Sequence, residues 1–136
     1  MDSSPIDIFQ GSEITTILVV SNLKSSKEFY IDTLGGSMYR EYGNDSAVIQ
    51  FLGHWLSLVL PGGPTEDKPG IHFKTPQNIQ TISSSFTIRV KDCRHAYTIL
   101  QTKGVKFLTP PVQRGREVRC FFRDPDGHLL EISEYG

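Results

Sequence analysis

The 136-residue chain repeats its own pattern, and that repeat is the strongest constraint on its fold. Thr15-Thr16-Ile17-Leu18-Val19-Val20-Ser21-Asn22 lies over Ser85-Phe86-Thr87-Ile88-Arg89-Val90-Lys91-Asp92 at a fixed offset of 70 residues. Further on, Gly53-His54-Trp55-Leu56-Ser57-Leu58 lies over Gly127-His128-Leu129-Leu130-Glu131-Ile132 at an offset of 74. Identity is low, but the two matches occur in the same order, and each first segment leads into a helix cap. Two similar units within one chain are the simplest account.

Each unit is predicted to be βαβββ. In the first, the β-branched run Glu13 to Val20 is a strand, and Ser25-Ser26-Lys27-Glu28 has the S-x-x-E form of a helix-starting capping box. Phe29, Tyr30 and Leu34 give that helix an apolar face, and Gly35-Gly36 stops it. Strands are expected at Met38 to Tyr42, Ala47 to Leu52 and His54 to Leu60. A connector rich in Pro, Gly, Ser and Thr runs from about 61 to 84. The second unit repeats the order: a strand at Phe86 to Val90, a helix from the Asp92 cap to Leu100 and a strand at Val105 to Leu108. Strands at Arg116 to Phe122 and His128 to Ser133 follow, joined by the tight turn Asp124-Pro125-Asp126-Gly127. The expectation is one α+β domain over 1–136, with module one at about 13–60 and module two at about 85–134.

Strand parity separates two faces. Leu18, Val20, Leu56, Leu58, Leu60, Phe86, Ile88, Val90, Leu130 and Ile132 share the face that packs under the helices. The opposite face mixes Thr15, Ile17, Val19, Trp55, Ser57, Val59, Ser85, Thr87, Arg89, Leu129, Glu131 and Ser133. A few polar groups among apolar ones on a concave face is the usual make-up of a small-molecule pocket.

Composition excludes other classes. Fourteen Lys and Arg against fifteen Asp and Glu lack the basic excess of a nucleic-acid binder. The longest aliphatic run, Ile17 to Val20, is far below the roughly 20 residues that span a bilayer. Met1-Asp2-Ser3-Ser4-Pro5 has no basic region of an export signal, and Cys93 and Cys120 are too few for a disulfide framework. A cytoplasmic protein is expected.

Paired βαβββ units, Phe29-Tyr30 on a helix ending Leu34-Gly35, and Asp124-Pro125-Asp126-Gly127 followed by Leu130-Glu131-Ile132 resemble the vicinal oxygen chelate superfamily of glyoxalases, bleomycin-resistance proteins and extradiol dioxygenases. The resemblance covers about Glu13 to Ser133. It implies a curved mixed sheet forming a half-barrel with helices on the convex face, a divalent metal on the concave side, and homodimers. The family's ligand positions, commonly His or Glu, fall on Thr15, Ser57, Ser85 and Glu131, of which Glu131 alone keeps a ligand type. Hydroxyls are weak ligands for a catalytic metal, so no cofactor is expected. Zn, Ni, Mn or Fe is the alternative, with Glu131 as a ligand.

The pocket is therefore expected to be lined by Thr15, Trp55, Ser57, Ser85, Thr87 and Arg89. Glu131 is either a lone general base or, by preference, the ion-pair partner of Arg89, because an enclosed carboxylate needs compensation. Trp55 is the candidate for stacking on a planar ligand. His54 and His128 open matched strands on the helix side and are expected to be structural; His95 is solvated and His72 lies in the connector. Arg114, Arg116, Arg119 and Arg123 form the basic concentration, with Arg114 and Arg116 at a solvated hairpin tip. Cys120 alternates with core residues, and Cys93 starts a helix without a base at telling spacing. The resemblance implies a protein that binds or transforms a small organic molecule without the usual metal. The alternatives are a metal-dependent lactoylglutathione lyase acting on a 2-oxoaldehyde glutathione adduct, or an interaction module without a ligand.

Overall fold

The computed structural model describes residues 5–136; Met1 to Ser4, read above as carrying no export signal, lie outside the described residues. A short helix α1 (Pro5–Phe9) precedes module one, which comprises β1 (Thr15–Val19), α2 (Leu23–Lys27), β2 (Ser37–Tyr42), β3 (Ser46–Phe51) and β4 (His54–Val59). Module two holds β5 (Phe86–Arg89), α3 (Cys93–Thr102), β6 (Val112–Arg114), β7 (Glu117–Arg123) and β8 (Leu129–Tyr135). The two four-stranded mixed sheets have matching orders, β1-β4-β3-β2 and β5-β8-β7-β6. In each, the first and last strands of the module pair in parallel and the remaining pairs are antiparallel. The sheets do not close, and their paired βαβββ modules are the expected α+β arrangement.

Three local expectations are corrected. Asn22, not the Ser25 box, caps the first helix, its side chain accepting from Ser25 N at 3.0 Å, so the helix starts at Leu23. The helix then widens into a π turn over Glu28–Thr33 and ends at Gly35, which takes φ +89°. Val105 to Leu108 forms no strand: only an isolated bridge joins Phe107 to Phe122. The second strand of that module is β6, beyond the Pro110-Pro111 break. Its three pairings with β7 run from Val112↔Arg119 to Arg114↔Glu117, while Leu108 N donates to the Phe121 carbonyl further along that strand.

The parity reading holds for the core. Leu18, Val20, Leu56, Leu58, Leu130 and Ile132 are buried, and with Tyr30, Ile49, Phe51 and Phe122 they form one core cluster drawn from both modules. Phe29 packs edge-on to Tyr30 and tilts against Phe122, so the helix of module one reaches the sheet of module two.

The Asp124–His128 turn fastens this junction. Buried Asp124 accepts the Tyr30 hydroxyl at Oδ2 (2.8 Å) and the backbone N–H groups of Asp126 and His128 at Oδ1 (3.0 and 2.9 Å). Asp126 accepts from Ser21 N, and His128 Nε2 lies 2.8 Å from the Val19 carbonyl oxygen. Three residues of one turn thus hold the π turn of module one and the end of β1. The connector is pinned there as well. Arg123 donates to the Ile79 carbonyl at 2.7 Å, and a Cβ at Gly127 would lie 2.5 Å from Ile79 Cγ2 at φ +94°. Only glycine meets both demands.

Burial pushes the Asp124 carboxyl above its ordinary range, against the opposing pull of His128 and the hydrogen bond from Tyr30. A folded-state value raised above the unfolded value of 3.8 stabilises fully below the unfolded pKa and loses that contribution as pH rises through the folded pKa. Asp124→Asn is therefore expected to remove a downward slope in stability over that interval, measured by urea unfolding at several pH values. Tyr30→Phe, which leaves a buried carboxylate oxygen unpaired, is expected to cost about 1–3 kcal/mol in the same measurement.

Candidate functional site

The mixed faces of the two sheets carry different chemistry on the same backbone plan. On module one, Trp55 is flanked across the strands by Thr15 and Gln50, and Ser57 by Ile17 and Val48. Tyr39 meets the Trp55 ring edge-on, with centroids 4.9 Å apart. This wall is aromatic, and the Arg40 guanidinium lies 5.6 Å over the Tyr39 ring. Trp55 and Ser57 are half-buried, Thr15 is exposed, and Ile17 is 52% exposed.

On module two, the register places Thr87 and Phe121 on either side of Glu131, and Arg89 and Arg119 on either side of Ser133. Glu131 is 8% exposed and accepts the Thr87 hydroxyl at Oε1. Its nearest cation is Arg119, whose Nε lies 3.8 Å from Oε2. That separation is an ion pair but not a hydrogen bond, and Oε2 is a buried oxygen with no hydrogen-bond partner.

Arg89 does not pair with Glu131, contrary to the expectation from parity. It donates to Ser133 Oγ at 2.6 Å, lies 3.6 Å from Glu117 Oε2 and stacks over Tyr135 at 4.5 Å. Ser133 in turn donates to Glu117, which also faces Arg119 at 3.4 Å. The reason is register: Arg89 sits opposite Ser133, one same-face step beyond Glu131, whereas Arg119 approaches Glu131 diagonally from β7. Sequence reasoning missed Glu117 and Arg119 as site residues. The signal was present in the alternation of β7, since Val118, Cys120 and Phe122 point to the core and so turn Glu117, Arg119 and Phe121 to this face.

Ser85 opens on a cavity of about 340 Å³ with Ile17, His128 and Leu129. Thr87 and Arg89 line another of about 300 Å³ with His54 and Leu56. His54 bonds Thr16 Oγ1 at 3.0 Å, and His72 and His95 are exposed. Cys93 and Cys120 are buried with sulfurs 4.0 Å apart. Burial raises both thiols, Cys120 to about 12, which makes them core groups and poor nucleophiles.

The profile of the Glyoxalase/Bleomycin resistance protein/Dioxygenase superfamily matches residues 13–132. The chain belongs to this superfamily. It is 28% identical over 122 residues to biphenyl-2,3-diol 1,2-dioxygenase 3 of Rhodococcus globerulus, covering 85% of this chain and 59% of that protein; it thus spans well under two thirds of that relative's length. It is 33% identical over 117 residues to the metallothiol transferase FosB of Staphylococcus epidermidis, covering 83% of this chain and 76% of that protein. Among solved structures, the glyoxalase/bleomycin resistance protein/dioxygenase of Alicyclobacillus acidocaldarius superposes with a TM-score of 0.70 at 20% identity, covering 91% of each chain.

The metal that this fold family implies does not suit the donor set. Thr15, Ser57 and Ser85 offer neutral hydroxyls, and the one carboxylate, Glu131, is engaged by Thr87 and faced by Arg119. Among the described residues, no group of three or more His, Cys, Asp or Glu side chains is gathered to hold an ion.

A double-mutant cycle of Glu131→Gln and Arg119→Met tests the revised pairing. A favourable coupling of about 0.5–1 kcal/mol in unfolding free energy is expected, modest because Arg119 is partly exposed. The cycle of Glu131→Gln with Arg89→Met is expected to give a smaller coupling.

Proposed function

We propose that the protein binds a small organic molecule on its mixed sheet faces without a metal, with the Trp55 and Tyr39 rings as an apolar platform. The observation that carries this reading is the state of Glu131. The carboxylate that would hold an ion is buried, bonded to Thr87 and compensated by Arg119. The matched positions carry hydroxyls, which leave room and hydrogen-bonding capacity for an organic ligand.

Two further parts of the reading follow from the same features. We propose a homodimer, because β1 and β5 each present an edge without a neighbouring strand among the described residues. We also propose a reducing, cytoplasmic location, in keeping with free Cys93 and Cys120. No helix among the described residues is long and apolar enough to cross a membrane.

The similarity to FosB favours a second reading, a metal-dependent enzyme. Glu131 would then have to leave Arg119, and further ligands would have to come from a second copy. Elemental mass spectrometry of tag-free protein beside Glu131→Ala separates the readings. No stoichiometric Zn, Ni, Mn or Fe is expected, and thermal shifts produced by a panel of small aromatic compounds are expected to survive EDTA and to shrink in Trp55→Ala. Near-stoichiometric metal that disappears in Glu131→Ala would overturn the metal-free proposal.

A further inference from the structure

On the opposite side of β5 from the charged wall, a groove of about 420 Å³ runs between the modules. Module one contributes Leu34, Phe51 and Leu52, and module two contributes Ile88, Ile99 and Leu100, with further residues of α3 and β8. Its volume lies within the range of small-molecule sites. The titratable groups in its lining are His95 and Lys103; no carboxylate is among them. The groove therefore combines an apolar trough with one cation, Lys103, at the C-terminal end of α3, while His95 lies in the first turn of that helix.

Leu52 gives a second, independent observation. It is the one non-glycine residue with positive φ among the described residues, at +51°. With Gly53 at +75° it forms the two-residue loop between paired Phe51 and His54. Hairpin loops of this form favour Asn or Asp at that position, because a larger side chain is strained there. The turn instead holds a leucine that is 75% exposed on the rim of an apolar groove. Neither turn chemistry nor core packing calls for leucine here.

We propose that this groove is a binding site for an amphipathic carboxylate, a medium-length acyl chain lying along Leu52, Ile88 and Ile99 with its acid group at Lys103. Its walls are the helix-side residues of the strands and the apolar face of α3, and it shares Phe51, Leu52 and Ile88 with the cavity that Thr87 and Arg89 line. Charge decides between possible occupants. A second copy of the chain would have to bring an acidic, apolar segment into a narrow trough, whereas a fatty acid carries both features in one molecule.

The test is titration of the full chain with sodium decanoate and with decan-1-ol, both below their aggregation concentrations, followed by methyl and amide NMR. Decanoate is expected to bind about tenfold more tightly than decanol and to perturb Ile88, Ile99 and Leu100. Leu52→Asn supplies the variant that cannot fail merely by unfolding. Relief of the turn is expected to raise Tm, while loss of the rim is expected to weaken decanoate about fivefold. Lys103→Glu is expected to abolish the preference for decanoate over decanol.

Equal affinity for acid and alcohol would overturn the proposal. So would decanoate binding unchanged in a stabilised Leu52→Asn protein, binding only near micellar concentrations, or concentration-dependent self-association that buries Leu52 and excludes decanoate. These outcomes are independent of the metal and aromatic-ligand measurements, because Glu131 and Trp55 take no part in the groove.

Discussion

The Asp124 turn fastens the two modules together, and at its centre the Tyr30 hydroxyl donates to Asp124, both groups buried. A carboxylate enclosed at a module junction is costly unless its lone pairs are used. Here one oxygen takes the tyrosine and the other takes two backbone N–H groups of its own turn. Asp126 and His128 extend the same turn onto Ser21 and Val19. The Asp-Pro-Asp-Gly stretch is thereby explained by structure. Its residues orient module two against β1 and the π turn, and Gly127 admits the connector residue Ile79. Burial pushes the Tyr30 phenol far above its ordinary range, which keeps it a proton donor to Asp124 and removes it from acid–base chemistry.

With the modules fixed, equivalent strands present unlike walls. The wall of module one has hydroxyls, an aromatic pair and aliphatic groups. That of module two has a chain of alternating charges, Glu131, Arg119, Glu117 and Arg89, satisfied within the sheet. Glu131 is bonded to Thr87 at one oxygen and faces Arg119 with the other, which is buried without a hydrogen bond.

Much of this architecture was legible in the letters because two periodicities agree. The offsets of 70 and 74 residues fix two equivalent modules, and the period-two alternation fixes which side chains enter the core, as buried Leu56, Leu58, Leu130 and Ile132 bear out. The errors were local. A capping-box pattern at Ser25 competed with Asn22, three residues earlier, and the Asx cap prevailed. The apolar segment Val105 to Leu108 had strand composition, but the partner strand β7 was paired by the residues beyond Pro110-Pro111. The partner of Glu131 was misassigned because ion pairs in a sheet are set by cross-strand register. Sorting β5 and β8 without β7 left Arg119 out of consideration.

The strand β5 links the two proposed binding regions most directly. Successive residues point to opposite faces, so Thr87 and Arg89 belong to the charged wall while Ile88 lines the basic-ended groove. Arg89 is held by Ser133, Glu117 and the Tyr135 ring, and Thr87 by Glu131. The strand is therefore anchored from one side by polar contacts and bears an apolar groove on the other. Alternation separates polar from apolar side chains along the strand, yet Thr87, Ile88 and Arg89 meet in one cavity with Phe51 and Leu52. The duplicated fold keeps its common core on the helix side of both sheets, which leaves the opposite faces and the module junction free to differ.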